Sequence, residues 1–537
     1  MGVLQWSVYE KSRITGLEFG RSASKRMSNR VGATSVKTNG KCQTMRNTIG
    51  LLSLAFVLAI SACSQRGRSA PDVSGIWHIE VENVPGQLVA MEFELRQSFF
   101  GRKWSGRWEC MEIMTQGKLD RVQVAGSTVE VDLSASLKFK GALSADGTSL
   151  DGILYASGEE TPQTYTRVDD WATRMPARMD DQGRPVKAWN YRTPELIDDD
   201  WPVASLSDAK IRQQPLDDLF EKVVNGQYRG LDAVLVARGG KLVLEEYFHF
   251  GSRSEIHQVQ SVTKSVTSLV FGMAYDDGLI SDIEQPVHQY FPDYLDSSWV
   301  MNKYPISLKN ILMMSAGLDW RETGVPYTNP RNDAIRMNAS GDMYGYVLSR
   351  DRAQGKRPGE KFEYTSGLSI LIGGVMLEAT GMSIDKYAEL TLFKKMGIES
   401  YYWNSRSGQI HTGGGLYMRS RDLLKLGQLV LDKGRWNGQQ VISEAWIEES
   451  TAFHLPVPGS SRGRGYGYLW WREIFHVGEA SYPAIYASGY GWQVMWVIPD
   501  LDLVVLVMHH NPDDGNASHT LNVVEMENIV IPAVLPN

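Results

Sequence analysis

The chain predicts an α+β protein in which a helix-flanked sheet follows a small all-β domain, and three observations carry that expectation. Across 73–168, apolar and polar residues alternate with the period of half-buried strands, and glycine- and asparagine-containing breaks separate the runs. In 206–537, strand-like runs stand near both ends with a long, mostly helical stretch between them, so one sheet closed by the two ends is expected. "SVTKSVTSLVFGM" (261–273) spaces Val262, Val266, Leu269, Val270 and Met273 as the buried face of a helix. With 537 residues and 42% apolar content, the chain exceeds one ordinary domain and can bury substantial cores.

Charge is uneven. Residues 1–62 carry nine Lys/Arg against two acids, so 63–537 holds a net of −14 within the overall −7. An acidic body lacks the basic face that phosphates need, which argues against nucleic acid as a partner. Inside the basic leader, "MRNTIGLLSLAFVLAISAC" (45–63) joins Arg46 to an apolar run too short to span a bilayer comfortably, followed by small residues. This segment resembles a bacterial lipoprotein signal, with Ile60-Ser61-Ala62-Cys63 in the place of the lipobox. The resemblance implies a start at Met45, cleavage before Cys63 and acylation of Cys63. With Ser64 next, it implies a lipid-anchored protein of the outer membrane, in the cell envelope and facing the periplasm. A plain secretory signal cut nearby is the alternative. Residues 1–44 show no periodicity and receive no fold. Cys42, Cys63 and Cys110 do not make a disulfide framework, and Cys110 reads as a buried small hydrophobe.

After a polar tether (63–72), the 73–168 domain sets Trp77/Ile79/Val81, Met91/Phe93/Leu95, Val122/Val124, Val129/Val131/Leu133 and Leu137/Phe139 on one face. A barrel or a sandwich fits, serving as a packing module or, less simply, as a ligand holder. Residues 169–205, rich in Pro and Asp without a period, read as a linker wrapping onto the next domain. From 206 a helix over 207–225 leads into "LDAVLVARGGKLVLEEYF", two strands joined at Gly239-Gly240. Near the end, "WQVMWVIPDLDLVVLVMHH" gives two more strands around Pro499-Asp500.

Ser261 and Lys264 stand at i and i+3, on one side of the first turn of the buried helix. A serine hydroxyl is a poor nucleophile until a neighbouring base takes its proton. Desolvation disfavours the charged form of a lysine in an apolar setting, so its neutral amine can serve as that base. A helix start also aims the serine's own N–H at a developing oxyanion. The motif alone is weak, since Ser22-Ala23-Ser24-Lys25 matches it as well.

The surrounding segments add weight. "QSVTKSVTSLVFGMAYDDGLI" (260–280), "ISLKNILMMSAGLDW" (306–320), "PGEKFEYTSGLSILIGGVMLEATGMSIDKYAEL" (358–390), "GGGLYMRSRDLLKLGQLVLDKGRWNGQQVIS" (413–443) and "ASGYGWQVMWVIPDLDLVVLV" (487–507) follow one another in order. Together they resemble the class C β-lactamase and penicillin-recognising serine hydrolase family, nearest its 6-aminohexanoate-dimer hydrolase and esterase branch. The resemblance implies a serine β-lactamase-like fold and Ser261 as nucleophile. Lys264 is then its proton acceptor and Tyr364 the relay to the leaving group, titrating as a coupled pair. It implies the N–H groups of Ser261 and Tyr490 as the oxyanion hole, with Tyr327, Ser366, Ser488 and Gly489 as substrate contacts. Ser366 stands where the family often has Asn. Tyr327 is matched to a tyrosine in a mobile loop, and its own Tyr-x-Asn (327–329) lacks the helix that follows Tyr364.

The third motif departs from the family. Ala487-Ser488-Gly489 stands where relatives have Lys or His before Thr/Ser-Gly, so the cation that meets a substrate carboxylate is missing. A small ester or linear amide is the expected substrate, with no cofactor and no metal. A β-lactamase or D-Ala-type peptidase would need Arg462 or Arg464 to replace the cation, and a catalytically idle binding lipoprotein is the other alternative. Gly459-Ser460-Ser461-Arg462-Gly463 spells a Gly-x-Ser-x-Gly motif but sits in a polar loop. The ten histidines show no metal-ligand spacing, and His509-His510 reads as structural. The aromatics around Tyr466, Tyr468, Trp470 and Trp471 read as core, with lining a pocket as the alternative.

Overall fold

A computed structural model describes residues 72–536, apart from 85–86, 99–102, 111–114, 135–136, 157–158, 169–177, 179–183, 185, 229, 250, 295–305, 328, 461 and 511–521. The leader and its Cys63 lie outside the described residues.

The first domain is one antiparallel sheet of nine strands: β1 (Gly75–Val84), β2 (Gln87–Gln97), β3 (Trp104–Cys110), β4 (Thr115–Lys118), β5 (Arg121–Ala125), β6 (Thr128–Ser134), β7 (Leu137–Leu143), β8 (Ser149–Ala156) and β9 (Glu159–Val168). Their order is β4-β3-β2-β1-β9-β8-β7-β6-β5, and β3 and β5 approach each other, so the sheet curls into a nearly closed barrel. Of barrel and sandwich, the barrel is found. The alternating positions face inward as expected. Trp77, Phe93, Val131 and Phe139 are buried, while Val122 and Val124, on the β5 edge strand, are only partly covered. Phe93, Phe139 and Tyr165 meet inside with centroids 4.7–5.9 Å apart, which fills the interior with rings. Cys110 is a buried thiol outside any disulfide.

The second domain carries an eight-stranded antiparallel sheet. Its strands are β10 (Leu231–Arg238), β11 (Lys241–Tyr247), β12 (Leu455–Pro456), β13 (Gly465–Tyr466), β14 (Trp471–Val477), β15 (Ala480–Gly489), β16 (Gln493–Ile498) and β17 (Leu503–His509). The order is β11-β10-β17-β16-β15-β14-β13-β12. The β10–β17 pairing sets Val234 opposite Val507, so the early and late strands close the sheet as the sequence predicts. The β10–β11 turn uses Gly239 and Gly240 at φ 60° and 71°, a pair of left-handed residues that glycine adopts without strain. The first helix, α1 (Gln214–Val224), starts later than expected because Pro215 fixes its first turn.

Both faces of the sheet are covered, which is why its strands are unbroken apolar runs rather than alternating ones. On one face, Leu235, Ala487, Met495 and Leu506 pack against α2 (Val262–Asp276) and α3 (Ser366–Thr380). On the other, Val234, Tyr486, Trp496 and Val505 pack against α1 and residues 526–534. The linker is tied down at Asp199, which accepts from the buried Arg421 at 2.6 and 3.0 Å. Arg421 also donates to Glu245 of β11 at 2.9 Å. Breaking such a buried pair strands a charge, so the linker is fixed to the domain that follows it.

The packing of α2 makes a test. A Cβ on Gly272 would lie 2.1 Å from Trp446 Nε1, whose N–H already donates to the Ser268 carbonyl at 3.1 Å. Alanine gains about 1 kcal/mol in helix propensity, but overpacking a rigid ring costs about 1–3 kcal/mol. Gly272→Ala is therefore expected to lower the urea midpoint with an unchanged m-value, and a raised midpoint would contradict this packing.

Candidate active site

Ser261 is the residue before the first turn of α2, partly buried, and its side chain makes no capping hydrogen bond. The hydroxyl is thus not spent on the helix end. Its partners are Lys264, whose Nζ donates to Oγ at 2.9 Å, and the Gly413 carbonyl at 3.4 Å. Lys264 Nζ also donates to the Gly413 carbonyl at 2.5 Å. Lys264 is only 2% exposed, and among the described residues no carboxylate lies within ion-pair distance of it. Its Nζ stands over the Tyr364 ring, 5.1 Å from the ring centre. Tyr364 in turn stacks on Trp471 at 5.9 Å.

The backbone is shaped for this approach. Gln260 takes φ 50°, a strained value for a side-chain-bearing residue, just ahead of Ser261. Gly489 ends β15 against the same segment. A Cβ there would stand 2.6 Å from the Val259 carbonyl oxygen and 2.9 Å from Gln260 Cβ. Only glycine lets the strand end come this close to Ser261. Ser488 is half-buried on that strand, opposite Val494, and Ala487 is fully buried in the core shared with α2.

Tyr327 joins the site through two contacts. Its ring meets Tyr490 edge-on at 5.3 Å, and its hydroxyl donates to Glu322 Oε1 at 2.8 Å. Burial, then the charges of Glu322 and Tyr364, push its phenol far above the ordinary range. Ser366 gives its hydroxyl hydrogen to the same Oε1 at 2.6 Å and its N–H to Oε2 at 2.8 Å. Glu322 and the Gly413 carbonyl are what the sequence did not announce. Glu322 sits in a loop without periodicity. The only hint of a close-lying backbone was the Gly413-Gly414-Gly415 run.

The remaining candidates lie elsewhere. Arg462 and Arg464 both donate to the buried Glu473, at 2.9 and 3.1 Å, and Arg462 also holds Glu527. Glu473 pairs with Ala484, whose side chain belongs to the face of the sheet opposite Ala487. Neither arginine replaces the missing cation here, a correction to the route the sequence left open. The Gly-x-Ser-x-Gly run falls in the loop between β12 and β13, and its Ser461 lies outside the described residues. Tyr466, Tyr468 and Trp470 are core, and only Trp471 reaches the site. Among the described residues, no group of three or more His, Cys, Asp or Glu is arranged to hold a metal.

Behind the site, Asp232 binds His510 Nδ1 at 2.5 Å and His257 Nε2 at 3.0 Å. Burial alone would raise the Asp232 carboxyl, but the two imidazoles bring it well below the usual range. His509 bonds the Trp492 carbonyl through Nδ1 at 2.8 Å, bracing the turn that follows Gly489.

With this geometry in view, comparison with known proteins is direct. Residues 216–525 match the Beta-lactamase family, and the chain belongs to that family of serine hydrolases. A curated relative, the 6-aminohexanoate-dimer hydrolase of Paenarthrobacter ureafaciens, is 26% identical over 331 residues, 58% of this chain and 79% of that protein. A solved structure provisionally named a 6-aminohexanoate-dimer hydrolase, from Bacillus anthracis, is 18% identical with a TM-score of 0.49. It covers 67% of this chain and 90% of that one. A D-stereospecific amidohydrolase from a Streptomyces species is 16% identical with a TM-score of 0.44, over 60% of this chain and 98% of the other.

Burial holds the His509 imidazole down from 6.5 to about 4. Between those values the unfolded chain binds the extra proton, so this stability is complete above pH 6.5 and is lost as pH falls towards 4. The unfolding midpoint in urea is expected to drop from pH 7 to pH 5, and less steeply in His509→Asn. Equal slopes in the two proteins would contradict this assignment.

Proposed function

We propose that the protein hydrolyses a small ester or a linear amide through an acyl-enzyme on Ser261. The observation that carries this is the buried Lys264 amine, 2.9 Å from Ser261 Oγ without an acidic partner among the described residues. The Lys264 amine takes the hydroxyl proton as Oγ attacks the carbonyl carbon, and the N–H groups of Ser261 and Tyr490 hold the oxyanion. As the C–O or C–N bond breaks, Tyr364 gives its proton to the leaving group and recovers one from Lys264. Water then attacks the acyl carbon, with the same pair handling its protons, and Ser261 is released. Tyr327, Ser366, Ser488 and Gly489 line the approach to the carbonyl. The name of the Paenarthrobacter relative, a hydrolase of a 6-aminohexanoate dimer, supports the linear amide. The leader motif alone supports a lipid anchor at Cys63 and a periplasmic setting.

The third motif sets the substrate class. A β-lactam or D-Ala-terminated peptide brings a carboxylate beside the scissile carbonyl. Here Ala487 is sealed in the core and Arg462 and Arg464 are engaged on the far face. A carboxylate desolvated without a partner costs several kcal/mol, and each 1.4 kcal/mol is about tenfold in rate. p-Nitrophenyl butyrate, an ethyl ester and a simple linear amide should each be turned over about a hundredfold or more better, by kcat/KM, than nitrocefin or benzylpenicillin. Ser261→Ala, which sacrifices no cap, should abolish all of these activities with the fold intact. Efficient nitrocefin hydrolysis, or ester hydrolysis surviving in Ser261→Ala, would overturn the proposal.

A further inference from the structure

Glu322 is 4% exposed, and among the described residues no Lys, Arg or His lies within ion-pair distance of it. Four donors take the place of a cation. Oε1 accepts from Tyr327 Oη at 2.8 Å and Ser366 Oγ at 2.6 Å, and Oε2 accepts from Trp320 Nε1 at 2.7 Å and Ser366 N at 2.8 Å. The Ser366 N–H opens the fifteen-residue helix α3, so the carboxylate also sits at the positive end of that helix. One buried group therefore ties three pieces of chain together. These are the 320–327 loop, the start of α3 two residues after Tyr364, and, through the Tyr327–Tyr490 ring contact, the turn that follows Gly489.

We propose that Glu322 is a positioning residue that sets where Tyr364 stands for proton delivery to the leaving group. This rests on the acyl-enzyme reading above. General-acid transfer needs heavy atoms within about 2.6–3.2 Å. The Tyr364 backbone is held between Glu363, whose N–H donates to the Met314 carbonyl at 2.8 Å, and the α3 start that Glu322 clamps. The Tyr327 phenol is clamped by the same oxygen that holds Ser366. A plain helix cap would have no cause to recruit Tyr327 and Trp320 as well.

Glu322→Gln tests this at constant volume. Trp320 Nε1–H and Ser366 N–H can only donate, so the amide oxygen must face them and its NH2 must face the Ser366 and Tyr327 hydroxyls. Both hydroxyl oxygens then accept from that NH2 with their hydrogens turned away, so the two bonds on the tyrosine side change from charge-assisted to neutral and the clamp there is weakened. A nitrophenolate leaves without a proton, whereas an alkoxide or amide nitrogen needs one. In the full chain, kcat on the ethyl ester and linear amide should fall at least tenfold more than kcat on p-nitrophenyl butyrate. Labelling of Ser261 by a fluorophosphonate should stay within threefold of wild type. Equal losses on all three substrates with normal labelling would mean a merely structural cap and would overturn the assignment alone. Wild-type protein that neither labels nor turns over any of them would take down the acyl-enzyme reading and this assignment with it.

Discussion

Burial of one amine beside one hydroxyl is the constraint from which the rest of the site follows. A lysine side chain shut away from water with no acid to neutralise it is expensive, because the charged form loses its hydration and gains no partner charge. Here the amine has a serine oxygen, a backbone carbonyl and the face of a tyrosine ring, which are dipoles and not charges. A second arrangement shares that character. Glu322 is a buried acid with four neutral donors, one of them the N–H of Ser366 two residues after Tyr364. Each group is thus satisfied by dipoles rather than by a counter-ion.

Holding that arrangement requires backbone to come unusually close to backbone. Gly489 lets β15 touch the Val259–Gln260 segment, and Gly413 lets its loop present a carbonyl to the α2 start with a Cβ position already 3.1 Å from Ser369 Oγ. Gln260 takes on left-handed strain so that Ser261 faces the strand end. The sheet behind is stiff because both of its faces are packed, and the His257–Asp232–His510 chain ties the short strand Ile256–Gln258 to β10 and to the residue that follows β17. Rigidity is therefore built in where small displacements would cost the most rate.

Much of this was legible in the sequence, for reasons that differ by element. The β domain announced itself because one wet face enforces a period of two, and the buried sheet because apolar runs such as Leu231–Ala237 are flanked by glycine turns. The Ser261–Lys264 pair was legible because i and i+3 share a helix face, whereas Tyr364 was reached only through the family resemblance of its segment. The start of α1 was misplaced by seven residues because propensity over 207–213 does not reveal what Pro215 forbids. The choice of barrel over sandwich depends on how β3 and β5 meet, a long-range pairing that alternation does not encode. Arg462 and Arg464 looked free in sequence, since nothing local shows that Glu473 and Glu527 claim them. Glu322 was silent for the same reason. Its four donors come from three residues in two separate stretches of chain, 320–327 and the start of α3, and no spacing rule joins them.

The central claim is that Lys264 and Tyr364 work as one proton-handling unit on Ser261, and a double-mutant cycle tests it most directly. Groups that act together are non-additive: once one is gone, removing the other costs little. With kcat/KM on an ethyl ester as the readout, Lys264→Ala and Tyr364→Phe should each cost at least a hundredfold. The double mutant should lie within a few-fold of the worse single. Losses that multiply fully in the double mutant would show that the two groups act independently and would contradict the account.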